Sequence, residues 1–154
     1  MTTATISTTD FVYTTYIRST PQKVWDAITN PEFARQYWGN ENVSTDWKKG
    51  SQWKHVDGRT GQVRLVGQVL ESNPPHKLVL SWADPADPSD VSQVTYEIEA
   101  LQDAVRLNIV HGGFKAGSTM REKVSGGWPL VLSNLKTFLE GGKPFDIWAL
   151  KTCK

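Results

Sequence analysis

The middle of the chain alternates apolar and polar residues in the manner of antiparallel β-strands. Between about residues 52 and 112, apolar side chains recur at every second position, in runs separated by Gly-, Pro- or Asp-containing segments. Trp53 and His55 belong to the first run, and Val105, Leu107 and Ile109 to the last. Alternation of this kind buries one face of each strand and leaves the other in water. Residues rich in Thr, Tyr, Val and Ile predict one further strand near the start of the chain.

Two short helices are predicted directly after that first strand. Thr20 is a good helix cap, and Pro21 fits the first helical position, where its missing N–H does no harm. The same pair of signals recurs at Asn30 and Pro31. Gly39 is the residue type that ends a helix.

A long helix is predicted over residues 119–140, which would span roughly 33 Å at 1.5 Å per residue. Thr119 and Glu122 have the spacing of a capping box. Gly141 follows the last turn and favours termination there. The apolar stripe contains Met120, Val124, Trp128, Val131, Leu132, Leu135, Phe138 and Leu139. A broad apolar face of this length needs a sheet to lie across.

These elements predict the α+β class, with a curved antiparallel sheet wrapped around one long C-terminal helix. We expect residues 1–10 to form a disordered lead, residues 11–142 the domain and residues 143–154 a tail. A chain of 154 residues fits a single core.

Composition removes several functional classes. The net charge is +1, and no basic run exceeds the pair Lys48 and Lys49, so we expect no nucleic-acid partner. No apolar stretch is long enough for a bilayer span, and the first ten residues lack a secretory pattern, which predicts a cytoplasmic protein. The single cysteine, Cys153, can neither staple the fold nor build a zinc site. We therefore expect no metal and no cofactor.

Strand parity and the aromatic content indicate where a ligand would lie. Seven Trp residues are many for a domain of this size, and indole rings suit apolar pockets as well as cores. If Ile109 points inward, so does His111, and the same parity turns five side chains of other strands inward. The candidate ligand-binding residues are Trp38, Trp53, His55, Leu65, Trp82, Tyr96, Ile109, His111, Met120 and Trp128. His111 can equally be a satisfied core histidine, and both readings stay open.

Two glycines, Gly126 and Gly127, lie inside the predicted long helix, where each costs about 1 kcal/mol relative to Ala. Either another backbone approaches closely here, or space is left for a ligand beside Trp128. The sequence leaves both alternatives open.

Several segments, in order, resemble START-like and Bet v 1-like helix-grip domains. They are YIRSTPQKVWDAITNPE at residues 16–32, YWG at 37–39, GQVLE at 67–71, PPHKLV at 74–79, SW at 81–82, and GGW from 126 with the apolar and charged residues that follow to 141. The later segments are similar to one branch, bacterial proteins resembling the C-terminal domain of the activator of the 90-kDa heat-shock-protein ATPase. The resemblance implies a sheet that grips the last helix, with an apolar cavity between them. Members of this superfamily include lipid and hormone binders and polyketide cyclases.

Three functions follow as hypotheses. The first is binding of a small apolar or aromatic molecule between the sheet and the last helix. The second, implied by the resemblance, is an interaction module for a chaperone. The third is a cyclase- or hydratase-like enzyme that uses His111 or Tyr96 as acid–base. Because the sequence has no Gly-x-Ser-x-Gly, His-Glu-x-x-His or phosphate-loop signature, we name no catalytic residue and favour a non-enzyme. The chain is expected to be a monomer or a homodimer.

Overall fold

A computed structural model of the protein describes residues 9–151 and has a single antiparallel sheet of seven strands. Most of the expected lead (residues 1–8) and Cys153 lie outside the described residues. The strands are β1 (Phe11–Ile17), β2 (Asn40–Ser44), β3 (Gln52–Asp57), β4 (Val63–Asn73), β5 (Lys77–Trp82), β6 (Ser92–Ala100) and β7 (Val105–Gly112). Their order across the curved sheet is β1-β7-β6-β5-β4-β3-β2. The α+β class is confirmed, and β2 is a strand that the alternation pattern did not predict.

The two short helices, α1 (Pro21–Thr29) and α2 (Pro31–Trp38), begin and end where the capping residues predicted. Thr20 Oγ1 accepts a hydrogen bond from the Lys23 amide, and Asn30 Oδ1 accepts from two amides of the next helix. Gly39 ends α2 with φ 83°, a left-handed conformation that favours glycine. Helices α1 and α2 connect β1, at one edge of the sheet, to β2 at the other edge.

The long helix α3 (Met120–Leu139) is confirmed, but its predicted capping box is wrong. Thr119 makes no side-chain cap bond, and its backbone (φ −93°, ψ 1°) lacks the extended geometry of a capping residue. Ser118 takes over instead, because its Oγ accepts from the Met120 amide at 3.0 Å and donates to Asp90 Oδ2 at 2.7 Å. The start of α3 is therefore tied to the loop between β5 and β6.

The apolar stripe of α3 packs against the inward face of the sheet, as strand parity predicted. Ile98, Leu107, Ile109 and Leu135 are fully buried between the two layers. Within the described residues, no helix is both long enough and apolar enough to cross a membrane.

The segment after α3 folds back onto the domain. Asn134, fully buried in α3, donates from Nδ2 to the Tyr37 and Phe145 carbonyls and accepts from the Phe145 amide at 2.9 Å. Beyond it, Ile147 is buried in the short helix α4 (Ile147–Lys151). A single asparagine thus places α4 beside the end of α2.

Candidate functional site

A cavity of about 310 Å³ lies between the sheet and the first half of α3. Ligand pockets are usually about 300–1,000 Å³, so this one suits a small molecule. Its walls are mainly apolar, with a few polar and charged side chains. The lining residues are Trp38, Asn40, His55, Arg64, Leu65, Trp82, Asp84, Met120, Lys123, Val124, Gly127, Trp128, Val131 and Trp148.

Aromatic rings in mutual contact form the inner wall of the cavity. The Trp128 ring centroid lies 5.5 Å from both the Trp38 and the Trp82 centroids, and Trp38 lies 4.5 Å from His55. Such offset and tilted pairs are the arrangements that aromatic rings prefer. The wall is therefore rigid, apolar and broad enough to face a planar molecule.

Gly127 leaves open space on the helical side of the cavity. A Cβ placed on this glycine would meet no other atom within 4 Å. Of the two alternatives for this glycine, close backbone packing is therefore wrong, and the space beside Trp128 is real.

A chain of hydrogen bonds runs through His55 at the sheet end of the cavity. We call Asn42, His55 and Asn40 the His55 chain. Asn42 Nδ2 donates to the Ile28 carbonyl at 3.0 Å, which leaves Asn42 Oδ1 to face His55 Nδ1 at 2.7 Å. His55 Nε2 lies 2.9 Å from Asn40 Nδ2. All three side chains are buried in strands β2 and β3.

A second chain of hydrogen bonds runs through His111, deeper in the core. We call Trp128, His111 and Ser92 the His111 chain. Trp128 Nε1 donates to His111 Nδ1 at 3.0 Å, so the imidazole proton is on Nε2, 2.7 Å from Ser92 Oγ. Ser92 Oγ in turn donates to the Trp82 carbonyl at 3.4 Å. Burial lowers the pKa of His111 to about 3, so this histidine is neutral at physiological pH.

Asn40 Oδ1 and Trp82 Nε1, which belong to cavity-lining residues, are buried polar atoms without a hydrogen-bond partner among the described residues. Both side chains are only 4% exposed. A buried polar atom without a partner costs about 1–3 kcal/mol, so native proteins keep few of them. One of these atoms is an acceptor and the other a donor.

Charged residues stand at the rim of the cavity. Arg64 donates to Asp57 Oδ2 at 2.9 Å. The pKa of Asp57 is lowered to about 2, mainly by a hydrogen bond from the Arg59 amide and next by the hydrogen bond from the Arg64 side chain. Lys123 and Asp84 also reach the rim. An entering molecule therefore meets both signs of charge.

Trp148 of α4 covers one side of the opening. The Arg59 guanidinium carbon lies 4.3 Å from the centroid of its ring. The indole also lies so close to Gly39 that a Cβ there would overlap it. Gly39 thus has two roles: it ends α2 in a left-handed conformation, and its missing side chain leaves room for the Trp148 ring.

The predicted site residues divide into two groups. Trp38, His55, Leu65, Trp82, Met120 and Trp128 line the cavity. Trp53, Tyr96, Ile109 and His111 are buried in the core and are not among the lining residues. Trp53 Nε1 donates to the Ser81 carbonyl at 2.8 Å across Gly67, where any Cβ would overlap that carbonyl.

Eight lining residues were not among the candidates, and Asn40, Gly127 and Trp148 are the ones that shape the site most. Asn40 and Asn42 are two apart, a spacing that puts both on one face of a strand. That signal was available, but it carries meaning only once β2 is known. Trp148 follows the end of the predicted domain, and the sequence gives no sign that the chain returns.

Comparisons with known proteins agree with this architecture. The family model described as "Activator of Hsp90 ATPase homolog 1-like protein" matches residues 18–140. No curated protein matches the chain. Among solved structures, a protein from Cytophaga hutchinsonii is 29% identical, with a TM-score of 0.66 and coverage of 85% of this chain and 93% of that one.

Two further structures carry functional words in their descriptions. The Aha1 dimer from Colwellia psychrerythraea is 18% identical, with a TM-score of 0.71 and coverage of 87% of this chain and 98% of that one. An HSP90 activator from Plasmodium falciparum is 23% identical, with a TM-score of 0.70 and coverage of 84% and 95%. At these identities the likeness shows a shared fold.

Proposed function

The chain belongs to the family of Activator of Hsp90 ATPase homolog 1-like proteins, and from that premise and the cavity beside Trp128 we propose that it binds a small apolar or aromatic molecule between the sheet and α3. The observation that carries the proposal is the cavity of about 310 Å³ with a continuous aromatic wall. Protein interiors are close-packed, so an opening of this size is larger than the small voids that packing normally leaves. We place this binding in the cytoplasm, as the composition predicts.

Gly127 adds a second line of support. It lies in the third turn of α3, where a glycine destabilises the helix by about 1 kcal/mol relative to Ala. Nothing lies within 4 Å of the missing Cβ, so no neighbouring backbone requires the glycine. Its effect is to keep the wall open next to Trp128.

The experiment is a binding titration with a matched pair of variants. Intrinsic Trp fluorescence is followed against a panel of fatty acids, flavonoids and polyketide-like aromatics. Gly127→Leu directs a side chain into the cavity, whereas Gly126→Leu makes the same change at the neighbouring exposed position. We expect at least one class to bind the wild type and the Gly126 variant, and binding to fall at least 10-fold in the Gly127 variant. Absence of binding for every class, or equal binding to both variants, would contradict the proposal.

The geometry gives little support to the enzymatic alternative. Both ring nitrogens of His111 are engaged, by Trp128 and Ser92, and its lowered pKa leaves it unable to carry a proton near pH 7. Burial also raises the pKa of Tyr96 well above its ordinary value. An acid–base group works best with a pKa near the operating pH, and neither side chain meets that condition.

A chaperone-interacting module is the second candidate, and family membership is the observation that favours it. In this case the outer surface would bind a bacterial 90-kDa chaperone, and the cavity would be irrelevant. Adding the wild type and the Gly127→Leu variant to the chaperone ATPase separates the two proposals. Equal stimulation by both would support the module, and an unchanged ATPase rate with both would remove it.

A further inference from the structure

We propose that the ligand carries a hydroxyl group, which donates to Asn40 Oδ1 and accepts from Trp82 Nε1. This inference rests on the proposed function, because it assigns the chemistry that the same cavity recognises. A hydroxyl group can donate and accept at once, and the two residues present one acceptor and one donor.

The orientation of Asn40 follows from a backbone carbonyl three hydrogen bonds away. The Ile28 carbonyl can only accept, so the Asn42 atom facing it is Nδ2, and Asn42 Oδ1 faces His55. An oxygen at this point requires the imidazole proton on Nδ1, which makes His55 Nε2 an acceptor. Asn40 must therefore donate to it through Nδ2. This order of bonds leaves Asn40 Oδ1 as the acceptor at the end of the His55 chain.

Trp82 differs from three other indoles of the domain, those of Trp53, Trp128 and Trp47. Trp53 Nε1 donates to the Ser81 carbonyl at 2.8 Å, and Trp128 Nε1 donates to His111 at 3.0 Å. The half-buried Trp47 donates to the Thr29 carbonyl at 3.0 Å. Trp82 Nε1 is buried without a partner among the described residues, although its ring packs between Trp53 and Trp128. The fold thus pairs the N–H groups of these three indoles and leaves that of Trp82 unpaired, although Trp128 lines the cavity as well.

The two unpaired atoms belong to one site. Both residues line the cavity, and His55 connects them, since it bonds Asn40 and its ring centroid lies 6.4 Å from that of Trp82. In the proposed complex, one hydroxyl group completes both at once. The gain is the removal of two buried unsatisfied groups, which should appear as a higher affinity for a ligand that carries the hydroxyl group.

The size of the cavity sets the size of the rest of the molecule. Its volume of about 310 Å³ is roughly twice the ~150 Å³ of an engineered apolar cavity that holds one benzene. The wall of Trp38, Trp82 and Trp128 suits flat rings. We therefore infer a two-ring aromatic or similarly flat molecule with one hydroxyl group directed at the sheet.

Three ligands of nearly equal shape test the inference on the wild-type protein. 2-Naphthol can donate and accept, 2-methoxynaphthalene can only accept, and naphthalene can do neither. We expect 2-naphthol to bind about 10–100-fold more tightly than naphthalene, because it satisfies both atoms, and 2-methoxynaphthalene to lie between them. Dissociation constants are measured by equilibrium dialysis, which does not depend on the Trp signal.

A pair of Trp variants tests whether the preference for 2-naphthol over naphthalene depends on the Trp82 N–H. Trp82→Phe removes the unpaired N–H and keeps an aromatic ring, and we expect it to reduce the preference for 2-naphthol at least 5-fold. Trp53→Phe removes an N–H that is bonded within the protein and should leave the preference unchanged. Asn40→Leu should reduce the preference in the same way as Trp82→Phe.

The outcomes are distinguishable. Equal affinity for naphthalene and 2-naphthol would overturn the hydroxyl inference while leaving the proposed cavity function in place. Failure of all three ligands to bind would overturn the inference, and the panel titration with the Gly127 and Gly126 variants then decides the proposed function separately. If a variant does not fold, the comparison of the three ligands on the wild type still decides the matter.

Discussion

The molecule contains two buried chains of hydrogen bonds, each centred on a histidine, and they end differently. In the His111 chain, every polar side-chain atom from Trp128 through Ser92 has a partner, and the chain closes on the Trp82 carbonyl. In the His55 chain, the bonds begin equally well at the Ile28 carbonyl but end at an amide oxygen with no partner in the described part of the protein. The first chain runs from Trp128 into the packed core, and the second ends beside the cavity.

From this difference we infer that the first chain serves the fold and the second serves the proposed binding. A closed chain stabilises the fold because no buried group is left unpaired. An open chain next to a cavity keeps a cost that a ligand can remove. The sequence treats His55 and His111 alike, as inward-facing histidines of the first and the last alternating run, and only the partners distinguish them.

The largest effect that we expect is a loss of folding stability in acid, caused by His111 of the closed chain. An unperturbed histidine has a pKa of about 6.5, and burial lowers that of His111 to about 3. Between these values the unfolded state binds a proton that the folded state does not, so stability falls as the pH is lowered from 6.5 towards 3. The slope is about 1.4 kcal/mol per pH unit, or about 4 kcal/mol over the range, and the group contributes no slope above pH 6.5.

The measurement is the free energy of unfolding by urea at a series of pH values, for the wild type and for His111→Asn. Asn keeps an acceptor for the Trp128 N–H and cannot titrate, so the variant should lack this part of the slope. The carboxyl groups titrate in both proteins, so their contributions cancel when the unfolding free energies of the two proteins are subtracted at each pH. An NMR titration of His111 in the folded wild type gives an independent answer, and a midpoint near 6.5 would contradict the account.

Removing the ring that joins the two regions should have the next largest effect. Trp128 packs on Trp38 at the cavity and on Tyr96 in the core, with centroids 5.5 and 6.0 Å away. We expect Trp128→Ala to lower the free energy of unfolding by about 3 kcal/mol, at the lower end of the range for buried Trp, because one side of the ring faces the cavity. Trp128→Phe keeps part of the packing and should cost less. A loss below about 1 kcal/mol for the Ala variant would mean that the ring is not part of the core.

The smallest effect should come from the helix glycines, and it has the opposite sign. Gly127→Ala and Gly126→Ala should each raise the free energy of unfolding by up to about 1 kcal/mol, because Ala favours helix and the Gly127 site has open space. Only the Gly127 variant should also change ligand affinity, since only that methyl group enters the cavity. Destabilisation by Gly127→Ala would show that the space beside Trp128 does not exist in solution.

The sequence predicts the fold well where local chemistry determines it. The caps at Thr20 and Asn30, the stop at Gly39 and the inward parity of β7 each follow from short-range rules, and the structure confirms them. The capping box at Thr119 fails because Ser118, tied to a distant loop, supplies the cap instead. Local rules cannot anticipate a partner from a distant loop.

The site is predicted in part, for a related reason. Parity identifies which side chains face inward, and this brings His55, Leu65 and Trp82 to the cavity. Parity cannot separate side chains that line a cavity from those that fill the core, so His111 entered the same list. Asn40 was missed because β2 has little apolar alternation to mark it as a strand.

The central claim, that Trp82 keeps an unpaired indole N–H for a ligand hydroxyl, is tested most directly by NMR. The indole N–H resonance of Trp82 is assigned with Trp82→Phe and followed during titration with 2-naphthol and with naphthalene, while the Trp53 resonance serves as an internal reference. The account predicts that 2-naphthol moves the Trp82 resonance further downfield than naphthalene does, because a new hydrogen bond forms, and that Trp53 responds equally to both. Identical shifts of Trp82 with the two ligands would contradict it.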